Sequence, residues 1–367
     1  MIKFLDLNKV NAPYESLFED KLKKMLHSGW YILGSEVTKF EKSFATYCNL
    51  PFCIGVGNGL DALTLIFKSY IQLGKMQKGD EVIVPANTYI ASILALLEAD
   101  LVPVLVEPKL ETYTLNPDLI QEKITSKTKA ILTVHLYGQL SEMNKIYEIA
   151  NRNDLLVVED AAQSHGAVLE NTPEIVHEVT IVQAYSFYPS KNLGALGDGG
   201  AVVTNDLALA NRIRSLRNYG SEIKYQNDFI GINSRLDELQ AAFLNCKLPN
   251  LDKENTKRRQ TARRYLTEIN NPKIHLPFWD LSANHVFHLF VIRTQNRTHL
   301  EDYLRKNGVE TMIHYPIPPH QQKALEKWNH LTFAITEKIH QEVLSLPVSP
   351  IITDDEVSYI IQILNQY

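Results

Sequence analysis

Cysteine is scarce in this 367-residue chain: Cys48, Cys53 and Cys246 are the only three. An odd number without paired metal spacing excludes a disulfide framework and suits a reducing compartment. A basic excess is missing too. Lys+Arg total 37 against Asp+Glu 42, a net charge of −5, so the balance offers no electrostatic reason for a nucleic-acid partner. The most apolar stretch, 89–106, is interrupted by Glu98, Asp100 and Pro103, too soon for a membrane span. The opening MIKFLDLNKV puts Lys3, Asp6 and Lys9 where a signal peptide needs its apolar core. No fixed-period repeat, low-complexity tract or G-x-S-x-G elbow occurs. These absences predict a soluble cytoplasmic protein with neither nucleic-acid nor membrane partners.

What is present is an ordinary globular composition, 45% hydrophobic and 22% charged, which excludes global disorder. A chain of this length buries about three quarters of its unfolded surface, enough for two domains. Short β-branched runs at 81–86, 101–108, 129–138 and 154–161 alternate with helical segments Asp61–Leu73, Ala91–Leu97, Pro117–Lys123 and Glu142–Asn151. Apolar runs with little polar alternation suit parallel strands covered on both faces, so the fold class is α/β. After about residue 205 the pattern changes. Helices are expected at Asp206–Leu216 and Leu236–Cys246, then a charged linking helix at 251–266, a strand at 285–294 and a helix at 298–308. We place a domain boundary near 248, giving domains 1–248 and 249–367.

Four segments could carry chemistry. CIGVGNGLDALTLIF (53–67) reads as strand, glycine turn and helix start, where backbone N–H groups point at an anion. Gly57-x-Gly59-x-x-Ala62 also satisfies a loose dinucleotide fingerprint, so a single phosphate, a pyrophosphate and a plain tight turn all compete. Asp160 ends an apolar strand, at the sheet edge where open α/β folds bind ligands. It would either meet a cation such as a protonated pyridine nitrogen, with Gln163 donating to a ring oxygen, or cap a following helix. Lys191 lies between Pro189 and a glycine-rich stretch, where lost solvation lowers a lysine's pKa and makes it a nucleophile or base. The alternative is an ordinary solvated lysine. Ser186 adds a hydroxyl upstream. Tyr89, at a strand-to-helix junction, could stack on a flat ring or simply fill the core. His314 and His320 match no common zinc spacing, so no metal is expected.

Phosphate turn, aromatic, strand-end Asp with Gln, and loop Lys occur in this order. Together they resemble fold-type I pyridoxal phosphate (PLP) enzymes, specifically the DegT/StrS-type sugar aminotransferases. The likeness runs nearly end to end, through SGWYILGSEVTKFE, GNGLDAL, PANTYIAS, VHLYGQ, VEDAAQSHGA, SFYPSKNLGALGDGG, GINSRLDELQAAF, HVFHLFVIR, MIHYPIPPH and LSLPVSPIITDDEV. It implies a large domain with a mostly parallel sheet and a smaller C-terminal α+β domain. Lys191 would hold PLP covalently and then shuttle the proton. Asp160 would pair with the pyridine nitrogen, and Gln163 would reach the ring hydroxyl. Tyr89 and Ala162 would cover the two ring faces. Gly59, Leu60 and Ser186 would take the phosphate, and Asn233 would reach the phosphate of a neighbouring subunit, making a homodimer the active unit.

Many relatives have Thr where Leu60 stands, so one hydroxyl is lost here. Relatives that dehydrate sugars carry His at the lysine position, so Lys191 argues for amino transfer. The resemblance implies transfer from glutamate, by way of pyridoxamine phosphate, to C3 of a dTDP-linked 3-keto-6-deoxyhexose. Tyr185, His314, Tyr315 and His320 are the candidate sugar contacts. Amination at C4 of a 4-keto sugar, a nicotinamide dehydrogenase and a sugar-binding regulator are the rival readings.

Overall fold

The computed structural model describes residues 1–169, 179–223 and 225–367. Seven strands form its central sheet: β1 (Phe52–Val56), β2 (Glu81–Pro85), β3 (Val102–Val106), β4 (Thr128–Val134), β5 (Leu156–Asp160), β6 (Val182–Ser186) and β7 (Gly200–Thr204). Their order is β1-β7-β6-β5-β4-β2-β3. All pairings from β3 to β6 are parallel. Strand β7 alone runs the other way, antiparallel to both β6 and β1. Apart from Lys129, every residue of β4 is buried, and so is all of β7, as double-sided cover requires. Helices Gly59–Gln72 and Ile90–Glu98 pack one face through Ile66, Phe67 and Leu96. Helices Ser35–Tyr47 and Met143–Arg152 cover the other through Phe40, Phe44 and Ile146.

This topology excludes the dinucleotide reading of the glycine turn. In a dinucleotide fold the first strand lies at the centre of a parallel sheet, whereas β1 is an edge strand with one antiparallel neighbour.

A separate apolar cluster includes Ala262, Tyr265, Phe287, Phe290, Leu344 and Ile360. It surrounds an antiparallel pair, Phe290–Arg293 with Val343–Leu346. The helix Leu251–Glu268 joins both regions: Leu251 packs with the sheet's cluster, Ala262 and Tyr265 with the second. Its basic residues are not all solvated, since Arg258 is buried and donates to the Val348 carbonyl at 2.9 Å. Two local expectations need correction. Residues 117–123 form two 3₁₀ turns, Pro117–Leu119 and Gln121–Lys123, because the segment is too short to propagate an α-helix. Of 285–294, only Phe290–Arg293 is a strand; the preceding residues leave the ladder and turn toward the sheet's carboxyl edge, where Val286 N–H donates to Gly138 O.

Edge strand β1 is pinned by charge. Glu41 Oε1 accepts from Gly55 N–H at 2.8 Å and from Arg217 at 2.5 Å, and Arg217 also donates to Gly55 O at 2.6 Å. Removing one partner of so sheltered a pair strands the other. We expect Arg217→Ala to lower unfolding free energy by about 3 kcal/mol at unchanged denaturant m-value. A loss below about 0.5 kcal/mol in chemical denaturation would show the pair to be an ordinary solvated one.

Candidate active site

Strands β1, β2, β4, β5 and β6 end at the same edge of the sheet, and β7 begins there. Alternation along a strand then sorts side chains by face. On β5, Asp160 shares the face of Val158, toward Ile90–Glu98. On β6, Ser186 shares the face of Ala184, toward Gly59–Gln72.

Asp160 is buried and caps no helix; turns follow it. One carboxylate oxygen accepts from Ser92 Oγ at 2.7 Å, the other from Ala162 N–H at 3.1 Å. Ser92 lies 2.8 Å from Thr88 Oγ1. Both hydroxyls escaped notice in the sequence. The signal was available, because Ser92 stands three residues after Tyr89 in a helix's first turn and so faces the same way.

The glycine turn forms a cradle. Asn58 caps the helix by accepting from Asp61 N–H at 2.8 Å, leaving the N–H groups of Gly59 and Leu60 without a partner among the described residues. A Cβ on Gly59 would lie 2.8 Å from Ser186 Cβ, so only glycine lets the helix start approach that hydroxyl-bearing strand end. Gly200 is needed likewise, since a Cβ there would strike the Asn58 backbone.

Lys191 occupies the loop between β6 and β7, half-buried, with no hydrogen bond to its amine from the described residues. Burial brings its pKa down to about 8, against the opposing pull of Asp160. The histidines around it are neutral. Burial, then the Lys191 charge, takes His165 to about 3 and His314 to about 4, and holds His288 well below the ordinary value.

Gln163 Oε1 accepts from Tyr137 N–H at 2.6 Å, and its amide nitrogen donates to Tyr315 OH at 3.1 Å. The Tyr315 ring lies 5.1 Å from that of Tyr89, which is 52% exposed and so is no core tyrosine. Tyr137 OH donates to the His314 carbonyl, and His314 Nδ1 lies 2.8 Å from Ser345 Oγ. Tyr315 is thus bonded to Gln163, and His314, next to it, lies within range of the Lys191 charge.

Two other sugar-contact expectations do not hold. Tyr185 is buried on the opposite face of β6, donating to Gln183 Oε1 at 3.0 Å and packing edge-on against Phe44. His320 is fully buried, 3.1 Å from Glu337 Oε1 and against Phe333. Both are structural. Asn233 is exposed beside the turn, in the segment whose next residue, Ser234, accepts from Gly57 N–H at 2.9 Å.

A PLP molecule needs an amine, an anion cradle, a ring platform and a carboxylate for its pyridine nitrogen. The residues brought together here supply all four. Lys191, Asp160 and Gln163, with Gly59, Leu60, Ser186 and Tyr89, fit the group.

Comparison with known proteins agrees. The profile of the DegT/DnrJ/EryC1/StrS aminotransferase family matches residues 14–365, and the chain belongs to that family. A dTDP-3-amino-3,6-dideoxy-alpha-D-galactopyranose transaminase of Aneurinibacillus thermoaerophilus is 52% identical over 367 residues, covering 100% of this chain and 99% of that protein. The crystal structure of Streptomyces venezuelae DesV in complex with a ketimine intermediate superposes with a TM-score of 0.92 at 40% identity, over 100% of this chain and 98% of that one. Bacillus subtilis NtdA, solved with bound cofactor PMP, gives 0.89 at 34% identity, over 99% and 84%.

The Ser92–Asp160 bond isolates one contribution. We expect Ser92→Ala to retain cofactor but to lose roughly ten- to a hundredfold in kcat, the worth of one hydrogen bond to a charged group. Unchanged kcat at full cofactor occupancy would remove Ser92 from the machinery.

Proposed function

We propose that the chain is a homodimeric, PLP-dependent aminotransferase that aminates C3 of a dTDP-linked 3-keto-6-deoxyhexose, with glutamate as donor. Lys191 carries the reaction type: an amine of lowered pKa, without a hydrogen-bond partner among the described residues, within the field of a buried carboxylate. Full-length likeness to a dTDP-3-amino sugar transaminase supports the sugar class. When bound, the cofactor supplies a carbonyl carbon that exchanges the amino group and a pyridine ring that accepts electrons.

The chain's own residues divide the remaining work. Lys191 acts as nucleophile and, once free, moves the proton between adjacent carbons. Asp160, oriented by Ser92, keeps a cationic ring nitrogen favourable. Gln163, fixed by Tyr137 N–H, is aimed at the ring hydroxyl, and its bond to Tyr315 ties that contact to the sugar side. Gly59, Leu60 and Ser186 hold the phosphate at a helix N-terminus, where the dipole favours an anion. Asn233, exposed beside that cradle, serves the phosphate of the partner subunit. Ala162, beside Asp160, closes the ring face opposite Tyr89. Tyr315 and His314 meet the sugar.

Two measurements test this. Incubation with glutamate and the dTDP-linked 3-keto sugar should give the 3-amino sugar and 2-oxoglutarate. Preference for a 4-keto substrate would overturn the C3 assignment. The second is a pH profile of the half-reaction in which Lys191 must accept a proton. Because burial lowers its pKa, the neutral amine accumulates as pH rises through about 8. The rate should climb about tenfold per unit below that value and level above it. The neighbouring histidines titrate too low to produce this limb. A limb at the ordinary lysine value would show an amine that remains solvated.

A further inference from the structure

Two buried asparagines connect the segments that carry the reaction, and the function derived above uses neither. Asn255, fully buried on Leu251–Glu268, donates through Nδ2 to the His165 carbonyl at 2.8 Å. That carbonyl forces the amide's orientation, so Asn255 Oδ1 faces away and accepts from Asn192 Nδ2 at 2.8 Å. The second Asn192 hydrogen goes to Val286 O at 3.2 Å. With both hydrogens committed, Asn192 Oδ1 acts as acceptor, and its neighbour His288 Nδ1, 3.3 Å away, carries a hydrogen. Every amide atom of this ladder is thus determined, from the His165 carbonyl to the His288 ring.

The ends of the ladder matter more than its middle. Asn192 directly follows Lys191. His165 lies two residues after Gln163 and five after Asp160. Val286 and His288 precede the strand Phe290–Arg293 of the second cluster, in the string HVFHLFVIR. The Lys191 loop has a further tie, since buried Lys247 donates to Gly194 O at 2.7 Å. Asn192, however, is the anchor adjoining the nucleophile. His288, at the ladder's far end, lies within range of the Lys191 charge, which with burial lowers its pKa.

We propose that Asn255 and Asn192 are positioning residues that set Lys191 against the Asp160–Gln163 segment and lock both to the second cluster. Neither touches the reacting atoms. Without the ladder, the loop keeps its backbone closure, Lys191 N–H to Tyr188 O at 2.8 Å and Ala195 N–H to Phe187 O at 2.8 Å. It loses the side-chain bonds that tie it, through Asn255, to the segment following β5 and, through Val286 and His288, to the second cluster. The inference rests on Lys191 as the nucleophile.

The test measures attachment of the cofactor, apart from turnover. Full-length apoprotein is mixed with PLP, so that Lys191 Nζ bonds to the aldehyde carbon and one water leaves. Borohydride then reduces the C=N bond, and intact mass reads the product against time. Asn192→Ala and Asn255→Ala are each expected to slow attachment about tenfold or more, as misplacement of a reacting group does. The double variant should be no slower than the worse single, because the two act as one unit. Singles within about twofold of wild type, with unaltered circular dichroism, would overturn the proposal. So would additive slowing that tracks lost thermal stability. If Asn255→Ala fails to fold, Asn192→Ala decides alone. A Lys191→Ala protein that still gains the cofactor mass at the same rate would instead sink the nucleophile assignment.

Discussion

A buried carboxylate beside a partly desolvated amine is the constraint around which the site is arranged. Burying either group alone costs several kcal/mol. Asp160 is made tolerable by two donors, Ser92 Oγ and Ala162 N–H, and by the Lys191 charge. Lys191 has no hydrogen-bond partner among the described residues, so desolvation wins over the attraction of Asp160 and its pKa falls. The asymmetry is useful. The acid is held by fixed dipoles and stays where it is needed, while the amine remains free to bond and release. If Lys191 were paired as fully as Asp160, its pKa would return toward the ordinary value and its nucleophilicity at neutral pH would vanish.

Topology makes that arrangement affordable only at the carboxyl edge. Strands covered on both faces have no room for polar groups along their length. At their ends the chain turns, backbone N–H groups become free, and a helix start supplies a positive potential. The reversal of β7 completes the edge. It brings Gly200 against Asn58, so that the cradle and the return strand share one tight contact. The same reversal removes β1 from the centre of the sheet, which separates this glycine turn from a dinucleotide fingerprint of nearly the same spelling.

Much of this was legible in the sequence. The alternation of β-branched runs with helical segments, and the punctuation by glycines at 55–59 and 194–200, are local signals that survive folding. Lys191, Asp160 and Gln163 stand out locally, by the glycine-rich loop and the end of an apolar strand, but their roles come from the resemblance and not from those settings. Tyr185 and His320 could not be excluded on the same grounds. Membership in a matching string says nothing about which face of a strand a side chain takes, and Tyr185 is one position away from the useful face. His320 looked available because its partner Glu337 lies 17 residues on. Ser92 was readable in principle from its helical spacing to Tyr89. Asn255 was not, since its partners lie 63 and 90 residues away. The helix expected at 117–123 failed for another reason: a window of seven residues cannot distinguish 3₁₀ turns from the first turns of an α-helix.

The histidines around Lys191 show what burial does to a site that must keep one titrating amine. His165, His288 and His314 all lie close enough to feel the lysine charge, and a protonated neighbour among them would lower its pKa further or displace it by repulsion. Burial settles the competition. Each imidazole would have to charge in a poorly solvated place next to a cation, so all three stay neutral through the range in which Lys191 titrates. They can then serve as packing and as neutral hydrogen-bonding groups, as His288 does toward Asn192. A lysine in water among three solvated histidines would change charge with them over several pH units. Here the low polarity that lowers the lysine also silences its neighbours, leaving one amine to respond near pH 8.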